Sequence, residues 1–204
     1  MATPTNTLKD AGVPQHILSL LDRLHAASIE QESRLDITAF ASDQIHNATS
    51  EAFIALGQDK CDFVYQLVRA INAKNIVEAG TSFGVTFGGP GTVIKTEHEP
   101  SKAELARKYW AEAGEMMSRN IDLRVGDLRE IMKRKCSHPS MTLPTLKADQ
   151  PHLRHGAVVI IDNTSSAGRY KDLLENLRQE SSGFTNLTIP YSKGLELCVH
   201  ALRS

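Results

Sequence analysis

Apolar residues in the first third of the chain recur with the period of a helix. Between Pro14 and about Leu35, Ile17, Leu18, Leu20, Leu21, Leu24 and Ile29 fall at helical spacing, with Pro14 suited to a first turn. This predicts an amphipathic N-terminal helix. A second helical pattern covers roughly 41–55, and a third runs from Asp59 through Phe63, Leu67, Val68 and Ile71 to end near Asn72 to Lys74. After Asn75 the pattern changes to short apolar runs alternating with helical ones. IVEAG (76–80), TVIKTE (92–97) and IDLRVGD (121–127) read as strands, SKAELARKYWAEAGEMM (101–117) and LREIMKR (128–134) as helices. Such alternation predicts an α/β fold with a largely parallel sheet. The run AVVIIDN (157–163) is apolar on both faces, which predicts a central, buried strand. A helix near 168–180 follows, and then FTNLTIPY and LELCVHAL, joined by Ser192-Lys193-Gly194, predict a terminal hairpin.

Length and charge narrow the partners. A chain of 204 residues with no repeat and no Pro/Gly/Ser-rich linker fits one domain with its own hydrophobic core. Lys plus Arg number 23 against 24 Asp plus Glu, so no global field draws the protein to nucleic acid or to anionic lipid. A small metabolite suits it better. No run approaches the ~18 apolar residues of a membrane span, and no basic stretch followed by an apolar one opens the chain. The three cysteines, Cys61, Cys136 and Cys198, are odd in number and lack CxxC spacing. Reduced, structural thiols in a cytoplasmic setting are the expectation.

Ligands of an open parallel sheet bind where the strands end. Four predicted strand ends carry polar or glycine residues. In Glu78-Ala79-Gly80-Thr81-Ser82-Phe83-Gly84 the two glycines allow close approach of backbone to ligand, and Thr81 and Ser82 offer hydroxyls. Glu97 ends TVIKTE, 17 residues after Gly80, where a carboxylate accepts both ribose hydroxyls of an adenosine-containing cofactor. A solvated Glu at a helix start is the competing explanation. Asp127 after Gly126 either reaches an adenine amino group or caps the helix beginning at Leu128. Asp162 and Asn163 leave the apolar strand as adjacent oxygen-bearing side chains, suited to a hard cation such as Mg²⁺, or to a turn. No Cys/His set has zinc-site spacing, and GxSxG, the Walker loop and GxGxxG are all missing. This disfavours hydrolase, nucleoside-triphosphatase and NAD-dependent dehydrogenase functions.

Taken together, IVEAGTSFG, TEHEP, VGDLRE, LRHGAVVIIDNT and LTIPYSKGLELCV resemble the class I S-adenosylmethionine-dependent O-methyltransferases of the small catechol type and its bacterial and fungal relatives. The likeness spans about residues 55–200. It implies a Rossmann-like sheet in a single domain, with residues 1–57 as an N-terminal helical cap and 58–204 as the cofactor-binding core. It also implies that Glu78, Gly80, Thr81, Ser82 and Gly84 hold the methionine part of S-adenosylmethionine, Glu97 the ribose, and Asp127 the adenine end. Asp162 and Asn163 would hold Mg²⁺. The implied acceptor is a hydroxyl on a small molecule, and a homodimer is compatible.

The sequence departs from the family's pattern twice. Only ten residues, TSFGVTFGGP, separate Gly80 from Gly91, fewer than a crossover containing a full helix needs. KRKCSHPS stands where the family places a strand ending in Asp, and no Asp occurs between Asp127 and Asp149. The expectation is a methyltransferase fold with its first crossover helix and one central strand shortened or missing. The alternative function is an inactive relative acting as a cofactor-binding or structural partner.

Overall fold

The computed structural model describes residues 7–34, 54–81, 91–126, 142–165 and 170–201. The chain divides into two compact units, Met1–Ile131 and Met132–Ser204. The predicted helix at 128–134 and both segments in which a shortened element was expected, 82–90 and 127–141, lie outside the described residues. So does most of the helix predicted at 41–55, of which Ile54 and Ala55 are non-helical.

In the first unit a short helix α1 (Thr7–Asp10) precedes α2 (Gln15–Arg34), and α3 (Gln58–Ala70) leads into the sheet. The sheet has three parallel strands in the order β1 (Asn75–Ala79), β2 (Thr92–Glu97), β3 (Ile121–Val125). Between β2 and β3 lies α4 (Pro100–Ala113), with Pro100 opening its first turn where a missing N–H costs nothing. The predicted helix at 101–117 is broken at Gly114, and a single turn, α5 (Glu115–Ser118), follows. Ile17, Leu20 and Leu24 of α2 pack with Ala113, bordered by Leu105, Tyr109 and Met117. Each fully buried leucine or isoleucine there contributes roughly 1.5–3 kcal/mol.

His25 on the same helix is buried, and burial lowers its pKa below the ordinary value, opposed by the charges of Asp22 and Asp62. The folded state therefore favours neutral His25. Its contribution to stability is complete above the unfolded value of about 6.5 and is lost as pH falls below it. Asp62, whose pKa burial raises and His25 lowers, works the other way in more acid solution. Stability measured by urea unfolding should decline between pH 7.5 and 5.5, and His25→Gln should flatten that decline. An identical slope in the variant would refute the assignment.

The second unit holds α6 (Thr142–Asp149), a 3-10 turn at Gln150–His152, β4 (Val158–Asp162), α7 (Lys171–Leu177), β5 (Phe184–Ile189) and β6 (Leu195–His200). The three strands form an antiparallel sheet in the order β4-β6-β5, and β5 and β6 make the predicted hairpin. Among the described residues its central strand is β6, whereas 157–163 was expected to be central. β6 has four buried residues, whereas β4 has only Ile161 buried. An all-apolar run signals burial on two faces but not which strand has neighbours on both edges. Leu146, Ile161, Leu173, Leu177, Phe184 and Cys198 form the core of this unit.

Candidate functional site

Three strand ends of the first unit stand side by side at the carboxyl edge of the parallel sheet. The β1–β2 pairing continues past Ala79, because the N–H groups of Gly80 and Thr81 both donate to the Thr96 carbonyl, at 3.2 and 2.8 Å. On the other side the N–H of Gly126 donates to the Glu97 carbonyl at 2.9 Å. The chain therefore brings Gly80 and Thr81, Glu97, and Gly126 to one edge. Gly80 has φ +80°, a left-handed conformation that any side chain would strain, so the turn itself requires glycine.

Thr81 is 4% exposed, and its Oγ1 has no hydrogen-bond partner among the described residues. A buried hydroxyl without a partner costs about 1–3 kcal/mol unless something else fills the role. This observation fits a bound polar ligand at the β1 end. Glu97 is 7% exposed, so it is not a solvated carboxylate. Its Oε1 accepts the N–H of Glu99 at 3.0 Å, at the start of α4. A carboxylate offers about four lone-pair sites, the chemistry that ribose hydroxyls require of an acceptor. Lys102, in the first turn of α4, lies near enough that Glu97 and then Glu99 hold its pKa up against the larger lowering by burial.

Glu78 sits deeper. Its Oε2 accepts from Lys95 Nζ at 2.5 Å, and Lys95 is its register partner on β2. Lys95 is 0% exposed and lies 5.6 Å from the centre of the Trp110 ring. Sequence reasoning passed over this lysine, since a charge inside a strand pattern is ordinarily taken to face water. Ser82, Gly84 and Asp127 lie outside the described residues.

In the second unit, Asp162 ends β4 and Asn163 follows with φ +60°. The Asn163 N–H donates to Asp162 Oδ1 at 2.7 Å and to the Gly194 carbonyl at 3.1 Å. This is turn geometry, closed from the other side by the Ser192-Lys193-Gly194 loop. A Cβ on Gly194 would come within 2.2 Å of Ser165 Oγ, so the two loops interlock only with glycine there. Among the described residues no group of three or more His, Cys, Asp or Glu could hold a metal ion. Burial pushes the Cys198 thiol up to about 12, with Glu196 adding to the rise and Arg178 opposing it. It carries essentially no thiolate near neutrality and is a packing residue. No helix among the described residues is long and apolar enough to cross a membrane.

A family model described as O-methyltransferase matches residues 30–182. No curated protein matches the sequence. Among solved structures, cofactor-bound Rv0187 from MTB is 18% identical at a TM-score of 0.64, covering 99% of this chain and 100% of its own. The O-methyltransferase TomG from Streptomyces achromogenes, involved in tomaymycin synthesis and solved with SAM, is 20% identical at 0.60, covering 89% and 99%. The O-methyltransferase from Bacillus cereus, solved with SAH, is 18% identical at 0.60, covering 95% and 94%. At these identities the likeness establishes the α/β fold.

Proposed function

The chain belongs to the S-adenosylmethionine-dependent O-methyltransferase family, and from that premise we propose that it transfers a methyl group from S-adenosylmethionine to a hydroxyl of a small metabolite. The observation that carries the proposal is the strand-end edge itself: a left-handed Gly80, the unpartnered Thr81 hydroxyl and the buried Glu97 carboxylate, placed together by backbone pairing. In this reading Glu78, Gly80, Thr81, Ser82 and Gly84 hold the methionine part. Glu97 holds the ribose, and Asp127 the adenine end. The bound cofactor supplies a sulfonium methyl group, and the protein's task is to orient the acceptor oxygen in line with it. Asp162 and Asn163 would hold Mg²⁺, whose chemistry is to lower the pKa of a bound hydroxyl.

The same reading takes the ten-residue connection after Gly80 as shorter than a crossover with a full helix needs, and KRKCSHPS as standing where the family places a strand. An inactive, cofactor-binding relative is the second reading. It draws on the ten-residue connection and on the absence of Asp between Asp127 and Asp149.

Calorimetric titration with S-adenosylmethionine and S-adenosylhomocysteine, with and without Mg²⁺, tests the proposal. Binding of both is expected; a folded sample giving no heat with either would overturn it. Binding indifferent to Mg²⁺ would discard the metal assignment alone, and binding without turnover on hydroxylated acceptors would favour the second reading. Glu97→Ala should weaken cofactor binding by about 1.5–3 kcal/mol, the range for hydrogen bonds to a charged group. An unchanged affinity would remove Glu97 from the ribose site.

A further inference from the structure

Lys95 has no part in the reading above, yet its surroundings give it one. Alternate residues of a strand share a face, so Lys95 shares one with Glu97, two residues further along β2. On that face it stands directly across from Glu78 of β1. Its ammonium is wholly enclosed, with Glu78 as its carboxylate partner and the Trp110 ring beside it. Glu78 differs, because 26% of its side chain remains exposed. One oxygen of this carboxylate is bound inward to Lys95, while the group as a whole keeps contact with solvent two residues before Gly80 and Thr81.

Stability alone does not account for such a pair. Apolar side chains of similar volume generally serve a fold as well as a buried ion pair does, or better. A charge enclosed beneath a carboxylate near a ligand-binding edge does something an apolar residue would not: it fixes the direction in which that carboxylate accepts. We propose that Lys95 is a positioning residue for the cofactor, holding Glu78 as the acceptor for the ammonium group of the methionine part. The inference rests on the cofactor reading above and deepens it. A fixed acceptor discriminates ligands that carry the amino-acid portion from ligands that end at the thioether, because a buried polar group left unpaired penalises the latter.

The experiment compares S-adenosylhomocysteine with 5′-methylthioadenosine, which shares the adenosine and thioether but lacks the amino-acid part. Both are titrated calorimetrically into the wild type, Lys95→Met and Lys95→Gln, with circular dichroism confirming that each variant is folded. Lys95→Met should weaken S-adenosylhomocysteine about tenfold or more, as expected for a disturbed charge-assisted hydrogen bond. Methylthioadenosine should stay within about twofold over the same comparison, since it makes no such bond. Lys95→Gln, whose amide still donates to Glu78, should fall between; if the Met variant does not fold, this variant carries the test by the same difference between ligands. Equal losses for both ligands, or no loss for either, would overturn the positioning role while leaving the cofactor reading standing. A wild type that binds neither ligand would overturn the cofactor reading, and the positioning role with it.

Discussion

Arg178→Met is expected to destabilise the protein by about 3 kcal/mol, the low end of the range for breaking a buried ion pair, because Arg178 is itself half-exposed. Glu196 is the reason. It lies on the central strand β6 and is 1% exposed, yet it carries a carboxylate. Arg178, just beyond the end of α7, donates to both of its oxygens at 3.1–3.2 Å. Thr188 on β5 donates a further bond to it at 2.6 Å. Removing Arg178 leaves that carboxylate in the sheet with the Thr188 hydroxyl as its donor among the described residues. The desolvation of Glu196 is then uncompensated, and this outweighs the apolar contacts that methionine retains. The double variant Arg178→Met/Glu196→Leu should recover most of the loss, since both charges leave together. Urea unfolding at neutral pH provides the measurement. If the double variant is no more stable than Arg178→Met, the loss comes from packing and the ion pair is not its source.

These two buried charges also mark where the sequence stopped being legible. The strands at 75–79, 92–97, 121–125, 158–162, 184–189 and 195–200 lie within the predicted runs or within a residue of them, because alternation and apolar runs report burial directly. Gly80 was readable for a similar reason, since a left-handed turn after a strand admits few other residues. Lys95 and Glu196 were not readable. Each sits inside a strand pattern, and a periodic reading assigns a charge to the water side unless its partner is known. Those partners are 17 residues away for Lys95 and 18 for Glu196, on neighbouring elements that only the folded sheet brings alongside. Glu97 was legible as the residue ending β2, with a solvated Glu as the competing explanation, and its burial removes that competitor. The helix Thr142–Asp149 was missed because MTLPTLKADQ combines a central proline with weak amphipathic spacing.

Glu78→Ala should cost about 3 kcal/mol, toward the low end of the range for breaking a buried pair, because Glu78 is itself partly exposed and water replaces some of what it gave. The remaining cost belongs to Lys95, whose ammonium would keep, among the described residues, the Trp110 ring at 5.6 Å, an interaction worth about 2 kcal/mol when desolvated. Glu78→Ala/Lys95→Met should be close to the wild type in stability, as the enclosed charge goes with its partner. Urea midpoints of the two variants decide the matter, and a double variant as unstable as the single one would show that Lys95 is not the source of the loss. The pair also determines how Glu78 must be tested as a cofactor residue. A binding assay on Glu78→Ala alone would mix lost contact with lost structure. The stable double variant separates them, because it is folded and lacks the carboxylate. In that background S-adenosylhomocysteine should bind more weakly while 5′-methylthioadenosine is unaffected, and retention of both at wild-type affinity would make Glu78 a purely structural partner of Lys95.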